Sequence, residues 1–160
     1  MINVLYEDNH LLCVEKPINI PVMEDDSHDM DLLTMCKEYL KEKYQKPGNV
    51  YCGLVHRLDR PVGGVMVFAK TSKAASRLSE AVRTHQLKKE YLAILDGIPI
   101  KQSDMLEDYL SKDTRTNTVS VTDAKHGKKC HLSYEVIGQK GRQSLVHITL
   151  GTGRSHQIRV

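Results

Sequence analysis

Apolar and polar positions alternate at two different periods along the chain, and the switches between them outline its elements. Residues 2–7 and 11–15 are short apolar runs separated by Glu7-Asp8-Asn9-His10, and they read as two strands joined by a turn. Pro17 and Pro21 hold an extended stretch that runs into Glu24-Asp25-Asp26. Leu32, Leu33, Cys36, Leu40 and Tyr44 then recur at helical spacing, which predicts a helix over 32–45 with Asp29 or Asp31 as its cap. Lys46-Pro47-Gly48-Asn49 ends it.

Two apolar runs follow, 51–55 and 63–69, rich in Val, Leu and aromatics and bounded by Gly and Pro. Both read as buried strands, and between them lies the polar cluster His56-Arg57-Leu58-Asp59. Thr71-Ser72 opens a helix of 73–84, with Ala75, Leu78, Ala81 and Val82 inward and Lys73, Arg77 and Arg83 outward. Residues 88–95 make a strand closed by Asp96-Gly97, and 105–110 and 117–122 are weaker strand candidates. Stronger ones at 130–137 and 144–150 flank Gly138-Gln139-Lys140-Gly141, the expected hairpin turn. Strands outnumber helices and arrive in hairpin order. The predicted class is α+β, a mixed, largely antiparallel sheet with flanking helices, in one domain over 1–160.

The 160 residues suffice for one buried core, and 40% hydrophobic with 27% charged residues is ordinary for a globular chain. No run approaches the roughly 18 apolar residues of a membrane helix, so no membrane partner is expected. The N-terminus carries no basic stretch and turns acidic at Glu7-Asp8, unlike a signal peptide. Cys13, Cys36, Cys52 and Cys130 form no C-x-x-C pair and read as reduced core thiols of a cytoplasmic protein.

Net charge is only +3, but residues 1–40 balance at −7 and residues 41–160 at +10. Such asymmetry fits a polyanion-facing side, and equally a solvated basic edge. The last stretch, Gly151 to Val160, reads as strand, glycine turn and the start of a helix, which suggests a domain truncated at its C-terminus.

Three polar groups interrupt the apolar pattern: His56-Arg57-Leu58-Asp59, Lys89-x-Tyr91, and Gly153-Arg154-x-His156-Gln157-x-Arg159. A carboxylate between two core strands loses water, so Asp59 needs a cationic partner or a task. Beside an Arg it stays ionised, able to act as nucleophile or base, or simply as half of a structural ion pair. Tyr91 could move a proton where water is excluded, and could equally be a core residue of its strand. Arg154 and Arg159 face phosphates or merely solvent. The kinase loop, the Walker loop and a second carboxylate for glycoside hydrolysis are all missing. His126, Cys130 and His131 sit beside the cationic turn Gly127-Lys128-Lys129, so no metal is expected there.

Taken in order, these stretches resemble the RluA family of RNA pseudouridine synthases over essentially the whole chain. Tyr6-Glu7-Asp8-x-x-Leu11-Leu12-x-Val14-x-Lys16-Pro17 is similar to its first motif. His56-Arg57-Leu58-Asp59 with Gly64 and Ala69-Lys70 is similar to the second, Lys89-x-Tyr91-x-Ala93 to the tyrosine segment, and residues 153–160 to the third. The resemblance implies conversion of uridine to pseudouridine in ribosomal or transfer RNA without cofactor or metal. It implies Asp59, Tyr91 and Arg159 as catalytic residues: Asp59 as nucleophile or base, Tyr91 on the base, and Arg159 pairing with Asp59, with Arg154 as the alternative partner. His56, Arg57, Arg154, His156 and Gln157 would bind substrate, Arg57 filling the stack that the flipped uridine leaves. Pro61-Val62-Gly63-Gly64 stands where the family often has Thr-Ser-Gly, a departure that bears on substrate choice. A non-catalytic RNA-binding relative of the same fold is the alternative. The family continues beyond Arg159, and the S4 domain of some relatives would be absent here.

Overall fold

The computed structural model describes residues 2–160, which divide into two compact units, one ending at Gln86 and the other running Leu87–Val160. The first contains β1 (Asn3–Glu7), β2 (Leu11–Lys16), α1 (Leu32–Lys43), β3 (Gly53–Leu54), β4 (Gly64–Ala69) and α2 (Ser72–Arg83). Its sheet has the order β1-β2-β4-β3 with antiparallel neighbours throughout. Alternation along β2 and β4 sends Leu12, Val14, Met66 and Phe68 to one face, where Leu32, Cys36 and Leu40 of α1 meet them. Full burial of each such leucine contributes roughly 1.5–3 kcal/mol, which makes this cluster the main support of the unit.

Both helices start where the pattern places them. Asp31, not Asp29, caps α1 by accepting from Thr34 N at 3.0 Å, and Thr71 caps α2 by accepting from Ala74 N at 3.1 Å. α2 ends within a residue of where the pattern places it, and α1 ends about two residues early. Gln45 and His85 take left-handed backbone at φ 46° and 57°, and the next residues close back, Lys46 N on Lys41 O and Gln86 N on Ala81 O. No glycine occupies either left-handed position, and the pattern overran the end of α1. Tyr44 also departs from expectation: its ring lies outside the core, while its hydroxyl reaches Glu7.

The second unit is a five-stranded antiparallel sheet of order β5-β9-β8-β6-β7, built from β5 (Lys89–Asp96), β6 (Ser103–Asp113), β7 (Thr118–Thr122), β8 (Lys128–Lys140) and β9 (Gln143–Leu150). Val136, Val146 and Ile148 form its core, with Tyr91, Ala93, Leu132, Tyr134, Leu150 and Ile158 packed around them. The hairpin turn is shorter than expected. β8 passes straight through Gly138, where the register slips and leaves Ile137 bulged, and Gly141 at φ 60° supplies the positive φ of the tight turn. The expected α+β class with antiparallel pairing is thus what forms, its strands divided between two sheets. Among the described residues no helix is long and apolar enough to cross a membrane.

Candidate functional site

In the first unit, the chain leaves β3, passes through His56-Arg57-Leu58-Asp59 and makes a tight turn, Val62 N donating to Asp59 O at 3.0 Å, before entering β4. β3 is only two residues long and covers only Phe68 and Ala69 on that edge of β4, whose other edge pairs with β2 throughout. His56 takes up the β4 amide just before them: its Nε2 accepts from Val67 N at 3.1 Å, which puts the proton of a neutral ring on Nδ1. Asp59 is half-buried and Arg57 exposed, the latter with Nη1 3.9 Å from Met23 Sδ.

The turn is held from beneath by Lys16. This side chain is only 1% exposed, and its ammonium donates to the carbonyls of Pro17, Arg60 and Val62 at 2.9, 2.9 and 2.7 Å. Burial pushes the Lys16 pKa down and the Arg60 charge adds to that, while the Asp59 carboxylate opposes both. Lys16 follows Leu12 and Val14 in strand phase, so an inward-pointing lysine was legible in the pattern. Its role was not read from it. Gly63 fits where a Cβ would lie 3.2 Å from Ile18 Cγ2 and 3.4 Å from Lys16 O, so the altered loop packs tightly against the strand end.

In the second unit, Tyr91 lies on β5 opposite Ile148, half-buried against the core. β9 continues into the segment 151–160, whose first two amides, of Gly151 and Thr152, both donate to His131 O at 3.1 and 3.2 Å. Gly151 has no room for a side chain, because a Cβ would fall 1.9 Å from the His131 ring. Gln157 is buried and braces the segment. Its Oε1 accepts from Thr152 Oγ1 and Arg154 N at 2.9 and 3.0 Å, and its Nε2 donates to His131 O at 2.9 Å. Its amide is thus turned to the chain itself.

Arg154 is exposed, with Nε donating to Lys129 O at 3.1 Å. His156 is half-buried in left-handed backbone at φ 52°, and Arg159 is exposed on the turn that follows, its N donating to His156 O at 2.9 Å. The sequence suggested the start of a helix here, and the residues form successive hydrogen-bonded turns, with Val160 N also donating to His156 O at 3.1 Å. The structure thus gathers His56, Arg57 and Asp59 on one turn of the first unit. It gathers Arg154, His156, Gln157 and Arg159 on one loop of the second, where that loop continues the strand paired with Tyr91's. Among the described residues no three His, Cys, Asp or Glu side chains converge as a metal site. Cys130 instead donates to Asp108 O, and His126 pairs with Asp123.

The family model described as RNA pseudouridylate synthase matches residues 10–160. Over 99% of its length the chain is 31% identical to ribosomal large subunit pseudouridine synthase C of Buchnera aphidicola subsp. Schizaphis graminum, covering 49% of that protein. It is 30% identical to ribosomal large subunit pseudouridine synthase D of Zymomonas mobilis, again over 99% of its length and covering 51% of that protein. The chain therefore spans about half the length of these curated relatives. The solved structure of human RNA pseudouridylate synthase domain containing 4 superposes with a TM-score of 0.83 at 23% identity, over 99% of this chain and 62% of that one. That likeness speaks to the fold.

Proposed function

The chain belongs to the RNA pseudouridylate synthase family, and from that premise we propose that it isomerises uridine to pseudouridine in RNA, ribosomal or transfer, in the cytoplasm. The observation that supports the reading is Asp59, in the stretch His56-Arg57-Leu58-Asp59 that resembles the family's second motif, on a turn that the buried Lys16 holds from below.

The reaction needs no net oxidant. The bond from ribose C1′ to uracil N1 breaks, a bond from C1′ to C5 forms, the proton leaves C5, and N1 gains one. Asp59 starts it, either by attack on the sugar or by removing a ribose proton. Tyr91 packs on the base and helps remove the C5 proton. Arg159, by the resemblance, is the third catalytic residue. Arg57 fills the stack the uridine vacates, and His56, Arg154, His156 and Gln157 belong to the substrate-binding set. The basic excess of residues 41–160 suits phosphate contacts that position RNA without reading its sequence.

Tritium release from RNA labelled at uridine C5 tests this. The wild-type protein should release label and the Asp59→Ala variant should not. Salt-sensitive RNA binding with no release from either would favour the non-catalytic reading, and release from Asp59→Ala would remove Asp59 from its role.

A further inference from the structure

Arg60 follows Asp59 directly, yet its side chain leaves the turn to join another stretch of the first unit. Nε donates to Asn19 O at 3.2 Å and Nη1 to Ser27 Oγ at 2.9 Å. Nη2 pairs with Asp29, and Nη1 lies 3.6 Å from Asp25 Oδ2. Asp25 is itself fixed, accepting from Ser27 N at 3.0 Å and from Ser27 Oγ at 2.5 Å. The guanidinium of Arg57 touches the same stretch at Met23. Residues 19–29 therefore meet both arginines that bracket Leu58-Asp59, while Lys16 grips the turn's main chain from the other side.

We propose that Arg60 is a positioning residue, fastening the 59–62 turn to the 19–29 stretch and so fixing where the Asp59 carboxylate stands. The inference rests on Asp59 being the reactive group. The competing role for an arginine at this place is a phosphate contact. Asp25 and Asp29 pair with it, and two more carboxylates, Glu24 and Asp26, stand beside them in the sequence, which makes this a poor place for RNA backbone. The guanidinium is already divided among four acceptors, and a phosphate would have to displace two of those carboxylates. The network is ionised at neutral pH. The Arg60 bond, helped by Ser27, holds the Asp29 carboxyl below its usual range, and bonds from Ser27, then Arg60, do the same for Asp25. One exposed ion pair holds little, but a fork shared among four fixed acceptors restrains geometry.

The test takes Arg60→Ala, Asp29→Asn and the double variant of the intact protein. It reads kcat and KM on uridine-tritiated RNA from cells lacking the protein, together with amide exchange at Val62, whose N–H is bonded to Asp59 O. Each single change should lower kcat about five-fold with KM kept, and the double should be no worse than either. Val62 exchange should quicken in all three. A raised KM in Arg60→Ala with tighter RNA binding in Asp29→Asn would make Arg60 a phosphate ligand and overturn the inference. Additive losses, or Val62 exchange unchanged, would overturn it as well. A wild type that releases no label refutes the proposed function, and the exchange data then decide separately whether Arg60 holds the turn.

Discussion

Lys16 Nζ donates to the Val62 carbonyl at 2.7 Å, which fastens the end of β2 to the turn that carries Asp59. A charge removed from water is tolerated when its protons have acceptors, and the other two go to Pro17 O and Arg60 O. Lys16→Met should therefore leave three carbonyls without their donor. The expected loss is about 3 kcal/mol in urea unfolding, with turnover falling too because the turn loosens. Undiminished stability in that variant would remove Lys16 from this role.

At the other end of the same sheet, Glu7 collects four donors. Tyr39 and Lys43 reach its Oε2 at 2.9 and 2.7 Å, and Tyr44 and Lys70 reach Oε1 at 2.7 and 2.6 Å. Burial alone would raise its pKa, but the two ammoniums and two hydroxyls outweigh it and bring the carboxyl down to about 2. The folded pKa lies below the ordinary value of 4.5, so the group's stabilisation is present above that pH and is lost as pH falls towards 2. Glu7→Gln should cost about 2 kcal/mol at neutral pH. The gap between variant and wild type in urea midpoint should close in acid. A gap of constant size across that range would contradict the network.

The strands and both helix starts were legible because their residues face a core at period 2 or 3.6, and Asp31 and Thr71 are strong caps. The end of α1 was less so, since Gln45 occupies the left-handed position glycine usually marks. β6 looked weak because Leu106, Glu107 and Asp108 all face solvent, so alternation gives little contrast. The candidate site residues stood out as polar interruptions of apolar runs. What surrounds them did not, because Lys16 and Gln157 act largely through backbone carbonyls and amides, whose positions no residue pattern states, and Arg60 meets Asp25, Ser27 and Asp29 from a distant part of the chain.

The loop 151–160 depends on a close approach. Gly151 lies under the His131 ring, and Gly151→Ala must push that ring aside at about 1–3 kcal/mol. The double variant with His131→Ala should recover most of that loss, because the obstruction is side chain and not backbone. A thermal unfolding cycle over the four proteins measures it, and strict additivity would place the strain elsewhere.

Arg57 offers the sharpest separation between holding the fold and handling RNA. Its side chain is exposed and meets Met23 Sδ weakly at 3.9 Å, so Arg57→Ala should leave stability within about 0.5 kcal/mol. If Arg57 fills the gap left by a flipped uridine, its benefit scales with the stacking that flipping destroys. A folded stem-loop loses a few kcal/mol of pairing and stacking, whereas a flexible oligonucleotide loses almost none. Arg57→Ala should therefore slow turnover on structured RNA by roughly ten-fold or more and on a short unstructured RNA far less. Phosphate binding alone would weaken both substrates alike and lower the salt slope by about one unit. Equal losses on the two RNAs would thus reassign Arg57 from the base stack to the backbone.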